Sequence, residues 1–302
     1  MTNLSSGNGF ESGSAPTMLV NPAVEDDIAV FAPAAGRSRN RRVRATVPQQ
    51  TPTVSLVIPV RNEARNIGWV LEQIADDVHE IILVDGHSSD ATLITARRYR
   101  PDIKVVPQDG AGKGCALRTG FLAASGDIIV MMDADGSMAP QEIRHYLHFL
   151  TNGYDFVKGS RFIGGGGSLD ITRLRRLGNR FLLGVFNSLY DADLTDLCYG
   201  FCAFHRRYLE LLALSATGFE IEAEMTVRAM QAGLRIAEVP SLELPRRSGK
   251  SNLHAIRDGS RVLRTVLRGR RAHGLSGHLA LALSNRRGFE GPAQTATSAS
   301  SQ

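Results

Sequence analysis

The sequence contains no apolar run that could cross a membrane, and it has few cysteines. No stretch of its 302 residues approaches the roughly 20 consecutive apolar residues that a spanning helix needs. The N-terminus lacks the charged start, apolar segment and cleavage site of a signal peptide. Cys115, Cys198 and Cys202 are odd in number and form no CxxC pair, which argues against a disulfide framework or a zinc site. These absences predict a cytoplasmic protein with free thiols.

Two frequent nucleotide-binding motifs are missing as well. The Walker spacing GxxxxGK[ST] does not occur, and no GxGxxG follows the first predicted strand. Neither a P-loop NTPase nor a Rossmann dinucleotide site is therefore indicated. The histidines His87, His205 and His254 are scattered along the chain, so no metal cluster built on them is expected.

The composition is that of a globular protein with a basic surface. A hydrophobic content of 43% is enough for a full-sized core. The net charge is +5, and such a surface attracts nucleic acid, anionic lipid or phosphorylated substrates. Both ends are rich in small and polar residues without periodicity, which is typical of mobile tails. We therefore predict a disordered tail over residues 1–52, one folded domain over 53–271 and a mobile tail over 272–302.

Strands and helices alternate along the predicted domain. Because the apolar runs are continuous rather than alternating, the pattern predicts a mostly parallel α/β sheet with helices on both faces. One predicted helix is capped by Asn62 and carries apolar residues from Ile67 to Val78. The other predicted elements are the strands Val54–Val60, Ile81–Gly86, Ile103–Val106 and Asp127–Met132 and the helices Ser88–Arg98 and Lys113–Ala124.

Two aspartates, Asp133 and Asp135, follow the last of these strands. In open parallel sheets, ligands bind beyond the carboxyl ends of the strands, so we expect these side chains in a crevice. Two neighbouring carboxylates repel each other unless a positive charge lies between them. A hard divalent cation that also binds a diphosphate relieves this repulsion. A DxD alone would be explained equally well by an exposed acidic turn.

A glycine-rich turn, Gly110–Gly114, precedes the third predicted helix. It can present backbone N–H groups and the ammonium group of Lys113 to a phosphate. The turn alone is weak evidence for a phosphate site. Its place in the sequence before the DxD is more specific evidence.

The ordered motifs VIPVRNEARNI, LVDGHSSDAT, GAGKGCALRTGFLAASGDIIVMMDAD, FVKGSRF and RRSGKSN resemble those of family 2 glycosyltransferases with the GT-A fold. Within that family the resemblance is to the polyprenyl-phosphate (dolichyl-phosphate) mannosyl- and glucosyltransferase branch. It spans about Val54 to Asn252. It implies a GT-A fold, a nucleotide-sugar donor such as GDP-mannose or UDP-glucose, and Mg2+ or Mn2+ as cofactor.

The resemblance also implies roles for individual residues. Asp133 and Asp135 match the metal-binding pair, and Ser137 stands where the branch often has glutamine. Gly86 stands where a second aspartate is common, so the nucleotide preference stays open. Asp196 matches an acid near the acceptor, either a base for a hydroxyl acceptor or a loop cap or partner of Arg175. The residues expected to contact the donor are Pro59, Arg61, Asn62, Glu63, Asp85, Lys113, Arg247 and Lys250.

An acceptor phosphate would be held by Arg161 and Arg175 according to the same resemblance, with Asn179 at the place of a frequent serine. Two apolar segments bear on a lipid acceptor: one helical stripe from Phe181 to Leu189, which core packing explains equally well, and a basic stripe over 256–268. Many members of the branch add spanning helices after the catalytic domain, and none follows here, so any contact with the inner membrane face is expected to be peripheral.

Three hypotheses remain open at this point. The first is an inverting, metal-dependent hexosyltransferase that acts on polyprenyl phosphate. The second is the same donor chemistry on a soluble small-molecule acceptor. The third is a nucleotide- or membrane-binding homologue without turnover. A nucleic-acid partner is not expected under any of them.

Overall fold

The computed structural model describes residues 51–76 and 78–270. The predicted tails, 1–52 and 272–302, lie outside these residues apart from positions 51 and 52, so the predicted domain boundaries remain predictions. No helix in the described part of the chain has the length and apolar character needed to cross a bilayer.

Seven strands form one mixed sheet, and two short strands form a second. The larger sheet has the order β3-β2-β1-β4-β7-β5-β8, in which only β7 runs antiparallel to its neighbours, and β6 pairs with β9. The strands are β1 (Val54–Val60), β2 (Glu80–Asp85), β3 (Lys104–Pro107), β4 (Ile128–Met131), β5 (Phe156–Ser160), β6 (Gly167–Ser168), β7 (Cys202–His205), β8 (Ile236–Pro240) and β9 (Leu242–Glu243).

Helices cover both faces of the larger sheet, as the sequence predicts. The helices are α1 (Ile67–Glu72), α2 (Thr92–Tyr99), α3 (Lys113–Ala123), α4 (Ile143–Thr151), α5 (Arg173–Tyr190), α6 (Leu209–Leu212), α7 (Ile221–Gln231) and α8, over residues 255–270. Short 3-10 turns at Pro140–Glu142 and Arg206–Tyr208 precede α4 and α6. The predicted α/β class is confirmed.

The core has one layer on each side of β1. Leu56 and Ile58 pack with α1 and α4, whereas Val57 points to the other face and packs with α3 and α7. Each fully buried aliphatic side chain contributes about 1.5–3 kcal/mol through the hydrophobic effect. Because both faces are buried, β1 reads as a continuous apolar run rather than an alternating one. A third cluster joins α5, α7 and α8.

Most predicted elements of the N-terminal half agree with the structure, but the first two helices do not. β1 has its predicted bounds, β2, β3 and β4 differ from the prediction by one residue at each end, and α3 ends one residue earlier than predicted. The helix expected from Asn62 to Val78 is wrong, because α1 spans only Ile67–Glu72. Asn62 has φ 58° and accepts a hydrogen bond from the Ser89 amide at 2.8 Å. It therefore joins two loops and does not cap α1; α2 also begins later than predicted, at Thr92.

Candidate active site

A cavity of about 530 Å³ opens at the carboxyl ends of β1, β2 and β4. This is the edge of the sheet at which the sequence predicts a crevice. Asp133 and Asp135 follow β4 and reach the cavity from its end. Further lining side chains that the sequence analysis singled out are Pro59, Arg61, Glu63 and Lys113.

Lys113 lies between two carboxylates at the floor of this cavity. Its Nζ is 2.6 Å from Asp133 Oδ1 and 2.8 Å from Glu222 Oε1. Burial alone would lower the pKa of Lys113, but the charges and hydrogen bonds of the two acids outweigh burial and raise it above the usual value. Lys113 is therefore a permanent cation at the DxD. Glu222 is not among the residues that the sequence patterns single out.

Asp135 is held by a second basic residue, Arg246. Arg246 Nη2 is 2.6 Å from Asp135 Oδ2, while its Nη1 is 3.3 Å from Glu63 Oε1. The hydroxyl group of Ser137 donates to the other oxygen of Asp135 at 2.6 Å. Each aspartate is paired with its own cation, Lys113 for Asp133 and Arg246 for Asp135. The repulsion between the two carboxylates is therefore compensated.

The oxygen ligands available at the DxD fit a hard divalent cation. Asp133, Asp135 and the Ser137 hydroxyl supply oxygen atoms, which Mg2+ and Mn2+ prefer. The Asp133 side chain is 29% exposed, and both carboxylates line the cavity. No group of three or more His, Cys, Asp or Glu side chains in residues 51–76 and 78–270 could hold a metal ion. A cation here would thus need ligands from water or from a bound diphosphate.

The glycine-rich turn uses part of its backbone N–H groups within the protein. The amide groups of Gly114 and Cys115 donate to the carbonyl oxygen of Thr217, at 2.9 and 3.3 Å. Gly112 has φ 101°, and a Cβ there would lie 2.3 Å from the same carbonyl. The turn is therefore packed against the segment before α7, while Gly110, Ala111, Gly112 and Lys113 line the cavity.

Several residues expected to contact the donor lie at the margin of the first cavity. The Asp85 carboxylate accepts from the Ser88 amide at 3.1 Å and does not line the cavity. Lys250 lines a neighbouring cavity that shares Arg61, Glu63 and Arg246 with the first.

Arg247 also differs from the expectation that it faces the leaving group. Its guanidinium lies 4.5 Å from the centre of the Trp69 ring, and its backbone amide donates to the Asp135 carbonyl at 3.1 Å. Its neighbour Arg246 lines the cavity instead. The basic loop, which contains Arg246, Arg247 and Lys250, is thereby fixed through its backbone to the DxD that follows β4.

A second cavity of about 390 Å³ meets the first at the DxD, since Lys113, Asp133, Asp135 and Arg246 line both. Arg175, in the first turn of α5, lines this second cavity, and its side chain makes no hydrogen bond or ion pair with any described residue. α5 begins here because the Thr172 hydroxyl caps it by accepting from the Arg175 amide.

Asn179 lies one turn after Arg175 on the same wall of the second cavity. Its Oδ1 accepts from the Cys198 amide at 3.2 Å. Because the oxygen is used in this way, the amide NH2 is the group left to meet a ligand.

Arg161 also lines the second cavity, and its guanidinium is bound by two acids. Its Nε and Nη2 bind the two oxygens of Asp196 at 2.7 and 3.0 Å. Nη1 contacts both oxygens of Glu243 at 3.2 Å. Burial would lower the pKa of Arg161, but Asp196 and Glu243 outweigh burial and raise it. Glu243 is a second residue that the sequence analysis missed.

The structure contradicts Asp196 as a catalytic base. Its side chain is fully buried and lines neither cavity. Both of its oxygens accept hydrogen bonds from Arg161. An acid in this position cannot take a proton from a ligand in the cavity. Among the alternatives weighed for Asp196, partnership with an arginine is correct, but the arginine is Arg161 and not Arg175.

The far wall of the second cavity is apolar and includes exposed side chains. Leu174 and Phe181 on α5 are each 60% exposed and line the cavity, with Leu177 beside them at 67%. The basic stripe of α8 is less available than predicted, because Val262 and Val266 are buried against α5 and α7. The exposed apolar surface of the second cavity is therefore formed by α5 together with Ile256 of α8, which is 82% exposed.

Comparison with known proteins gives consistent matches. Residues 55–212 match the family described as glycosyl transferase family 2. The chain is similar to glycosyltransferase AglJ of Haloferax volcanii, with 33% identity over 220 residues, 71% of each protein. It is also similar to the polyprenol monophosphomannose synthase of Mycolicibacterium smegmatis, with 32% identity over 69% of this chain and 83% of that protein.

A solved structure shares the fold. The glucosyl-3-phosphoglycerate synthase of Mycobacterium tuberculosis, in complex with Mn2+, uridine diphosphate and glucosyl-3-phosphoglycerate, aligns with a TM-score of 0.59. The two sequences are 27% identical over 72% of this chain and 80% of that one. The family match covers more than half of the chain and includes β1 except Val54, the DxD and Arg161. The chain therefore belongs to glycosyl transferase family 2.

Proposed function

We propose that this protein transfers a hexose, mannose or glucose, from a nucleotide sugar to polyprenyl phosphate, with inversion and with Mg2+ or Mn2+. The observation that carries this proposal is the pair of cavities that meet at Asp133 and Asp135. One is polar and suits a nucleoside diphosphate, and the other passes from Arg175 to an apolar wall. The similarity to a polyprenol monophosphomannose synthase supports the same acceptor class.

The donor diphosphate is expected at the DxD. Asp133, Asp135 and Ser137 would hold a divalent cation, which supplies positive charge where the leaving diphosphate gains negative charge. Lys113 and Arg246 are close enough to the aspartates to turn from them to the diphosphate. Prepositioned charges of this kind stabilise the transition state without reorganisation.

The acceptor phosphate is expected at Arg175 and Asn179. The side chain of Arg175 makes no hydrogen bond or ion pair with a described residue, so its guanidinium is available for two charge-assisted hydrogen bonds. Arg161 lines the same cavity and is held by Asp196 and Glu243. Because a phosphate oxygen is anionic at neutral pH, it can attack the anomeric carbon without a general base, which agrees with the burial of Asp196.

The prenyl chain is expected to leave the site along Leu174, Leu177 and Phe181. Apolar side chains next to a phosphate-binding arginine suit a ligand with a charged head and an apolar tail. The same surface would give peripheral contact with the cytoplasmic face of a membrane, assisted by the exposed arginines of α8.

A soluble phosphorylated acceptor is the second candidate. It is favoured by the shared fold with a synthase solved with glucosyl-3-phosphoglycerate. A small acid would use Arg175 and Asn179 in the same way but would leave the apolar wall of α5 without a role.

The test is transfer of labelled sugar from GDP-mannose or UDP-glucose, with Mg2+ or Mn2+, into an organic phase that contains polyprenyl phosphate. Label in that phase is the expected result. Metal-dependent hydrolysis of the donor without lipid product would favour the soluble acceptor. Absence of any donor binding would favour a homologue without turnover. The paired variants Leu177→Ser and Arg98→Ser provide a control, since only the first lies on the apolar surface of α5 and is expected to raise the KM for the lipid.

A further inference from the structure

Gln108 lies in the first cavity, where the donor is expected. It is at the end of this cavity that is farthest along the sheet from the DxD. Gly86 directly follows β2 and Gln108 directly follows β3, and the preceding residues Asp85 and Pro107 are paired in register. Both Gly86 and Gln108 line the cavity that also contains Asp133 and Lys113. A nucleoside diphosphate bound with its phosphates at the DxD would thus extend its base toward Gly86 and Gln108.

The amide group of Gln108 is held in one orientation. Its Nε2 donates to the carbonyl oxygens of Gly110 and Gly112, at 3.1 and 3.0 Å. Only the NH2 end of an amide can face two carbonyl oxygens, so the contacts assign the two ends. Oε1 accepts no hydrogen bond from any residue in the described part of the chain, and it points at Gly86, where a Cβ would lie only 2.8 Å away.

Gly86 and Gln108 therefore act as a matched pair. A larger residue at position 86 would displace Oε1 from the cavity, and the absence of a side chain there leaves the oxygen exposed to a ligand. Both hydrogens of Nε2 are used within the protein, so Gln108 offers a bound base one acceptor and no donor.

We propose, on the basis of the proposed function, that Gln108 Oε1 reads the imide N–H of uracil and makes the enzyme select UDP-sugars over GDP-sugars. Uracil has one N–H donor on its pairing edge, which matches a single acceptor. Guanine has adjacent N1–H and N2–H2 donors, which a carboxylate would match. Asp85, the residue before Gly86 at the end of β2, is bonded to the Ser88 amide and does not line the cavity. Guanine would therefore bury a donor without a partner, which costs affinity.

The experiment is isothermal titration calorimetry of the full chain with Mn2+ and with UDP, GDP or N3-methyl-UDP. For the wild type we expect UDP to bind about tenfold more tightly than GDP, and N3-methylation to weaken UDP about fivefold, which is the range of one neutral hydrogen bond. In Gln108→Ala the methylation effect is expected to disappear, because its acceptor is gone.

His87→Ala provides the matched control. His87 also lines the cavity and is exposed, but the methylation effect is expected to persist in this variant. Gln108→Glu adds a second variant: it keeps an acceptor but cannot donate to the Gly110 and Gly112 carbonyls, so it is expected to retain part of the effect. A merely structural role of Gln108 would weaken UDP and N3-methyl-UDP equally.

Two results would overturn the inference: GDP bound as tightly as UDP by the wild type, or an unchanged methylation effect in Gln108→Ala. Failure of the proposed function is distinguishable from both. If no nucleoside diphosphate binds with Mn2+, the donor site itself is wrong and the inference falls with it. If UDP binds selectively but no sugar reaches a lipid, only the acceptor assignment fails.

Discussion

Replacing Asp196 with asparagine separates a structural role of this acid from a catalytic one. Its carboxylate is fully buried and accepts four hydrogen bonds: from Arg161 Nε, Nη2 and backbone amide at 2.7, 3.0 and 3.3 Å, and from the Cys198 amide at 3.2 Å. Asparagine keeps the shape and one oxygen. It removes the charge and turns an NH2 group toward one of the donors.

The expected cost follows from leaving Arg161 partly unpaired. Breaking a buried ion pair by removal of one partner costs about 3–5 kcal/mol. Because asparagine preserves one acceptor and Glu243 still contacts Nη1, we expect the lower end, about 3 kcal/mol. The comparison variant Glu243→Gln removes the more exposed partner, whose side chain is 16% accessible, and is expected to cost about 1.5 kcal/mol, the value for a hydrogen bond to a charged group.

Urea unfolding followed by circular dichroism measures both values, with an unchanged m-value showing that the unfolded state is not altered. The remaining activity of Asp196→Asn is expected to keep the pH dependence of the wild type, because the buried acid takes no proton from the acceptor. The reasoning is refuted if Asp196→Asn is as stable as the wild type, yet loses turnover together with the acidic limb of its pH profile. That result would make Asp196 the base.

Further predictions concern the DxD, the acceptor site and the start of β2. Asp135→Asn is expected to lower metal-dependent transfer about 100-fold, because cation-based stabilisation of the leaving group is worth several kcal/mol, and to reduce the rise in melting temperature caused by Mn2+; full activity would remove the DxD from the mechanism. Arg175→Ala is expected to raise the KM for the acceptor about tenfold, the loss of one charge-assisted contact, with little change in the KM for the donor; equal effects on both would contradict its assignment. Burial opposes the shift, but hydrogen bonds from Ser55 and Ser125 lower the pKa of Glu80 to about 2, from 4.5. Since the folded-state pKa is depressed, the stabilisation is present above about pH 4.5 and is lost as the pH falls toward 2. Glu80→Gln is therefore expected to lose less stability than the wild type over this pH range. Identical acid titrations of the two proteins would contradict the shift.

Local sequence patterns predicted the sheet and the position of the DxD well. β1 could be predicted to the residue because its apolar run is bounded by polar positions and is buried on both faces. Asp133 and Asp135 could be placed in the crevice because parallel strands bring their carboxyl ends to one edge. Helix starts were less predictable, since Asn62 makes a loop contact where a cap was expected.

Contacts between distant residues were not predictable from local patterns. Glu222 contacts a lysine 109 positions earlier, and Glu243 contacts Arg161 across 82 positions. The acidic run that contains Glu222 looks like the ordinary start of a helix, where acids favour the dipole. A signal did exist, because Glu222 stands between the apolar residues Ile221 and Ala223 on a helix that must pack against the sheet. Only the fold shows which cation compensates it.

The contact between Trp69 and Arg247 gives this protein a built-in optical probe. Trp69 is the single tryptophan of the chain, its ring is 4.5 Å from the Arg247 guanidinium, and its edge faces Gly136. Indole emission depends on the polarity and charge next to the ring, so all tryptophan fluorescence arises at the junction of the basic loop and the DxD. A rapid-mixing experiment with unlabelled protein could therefore time the movement of that loop separately from the chemical step.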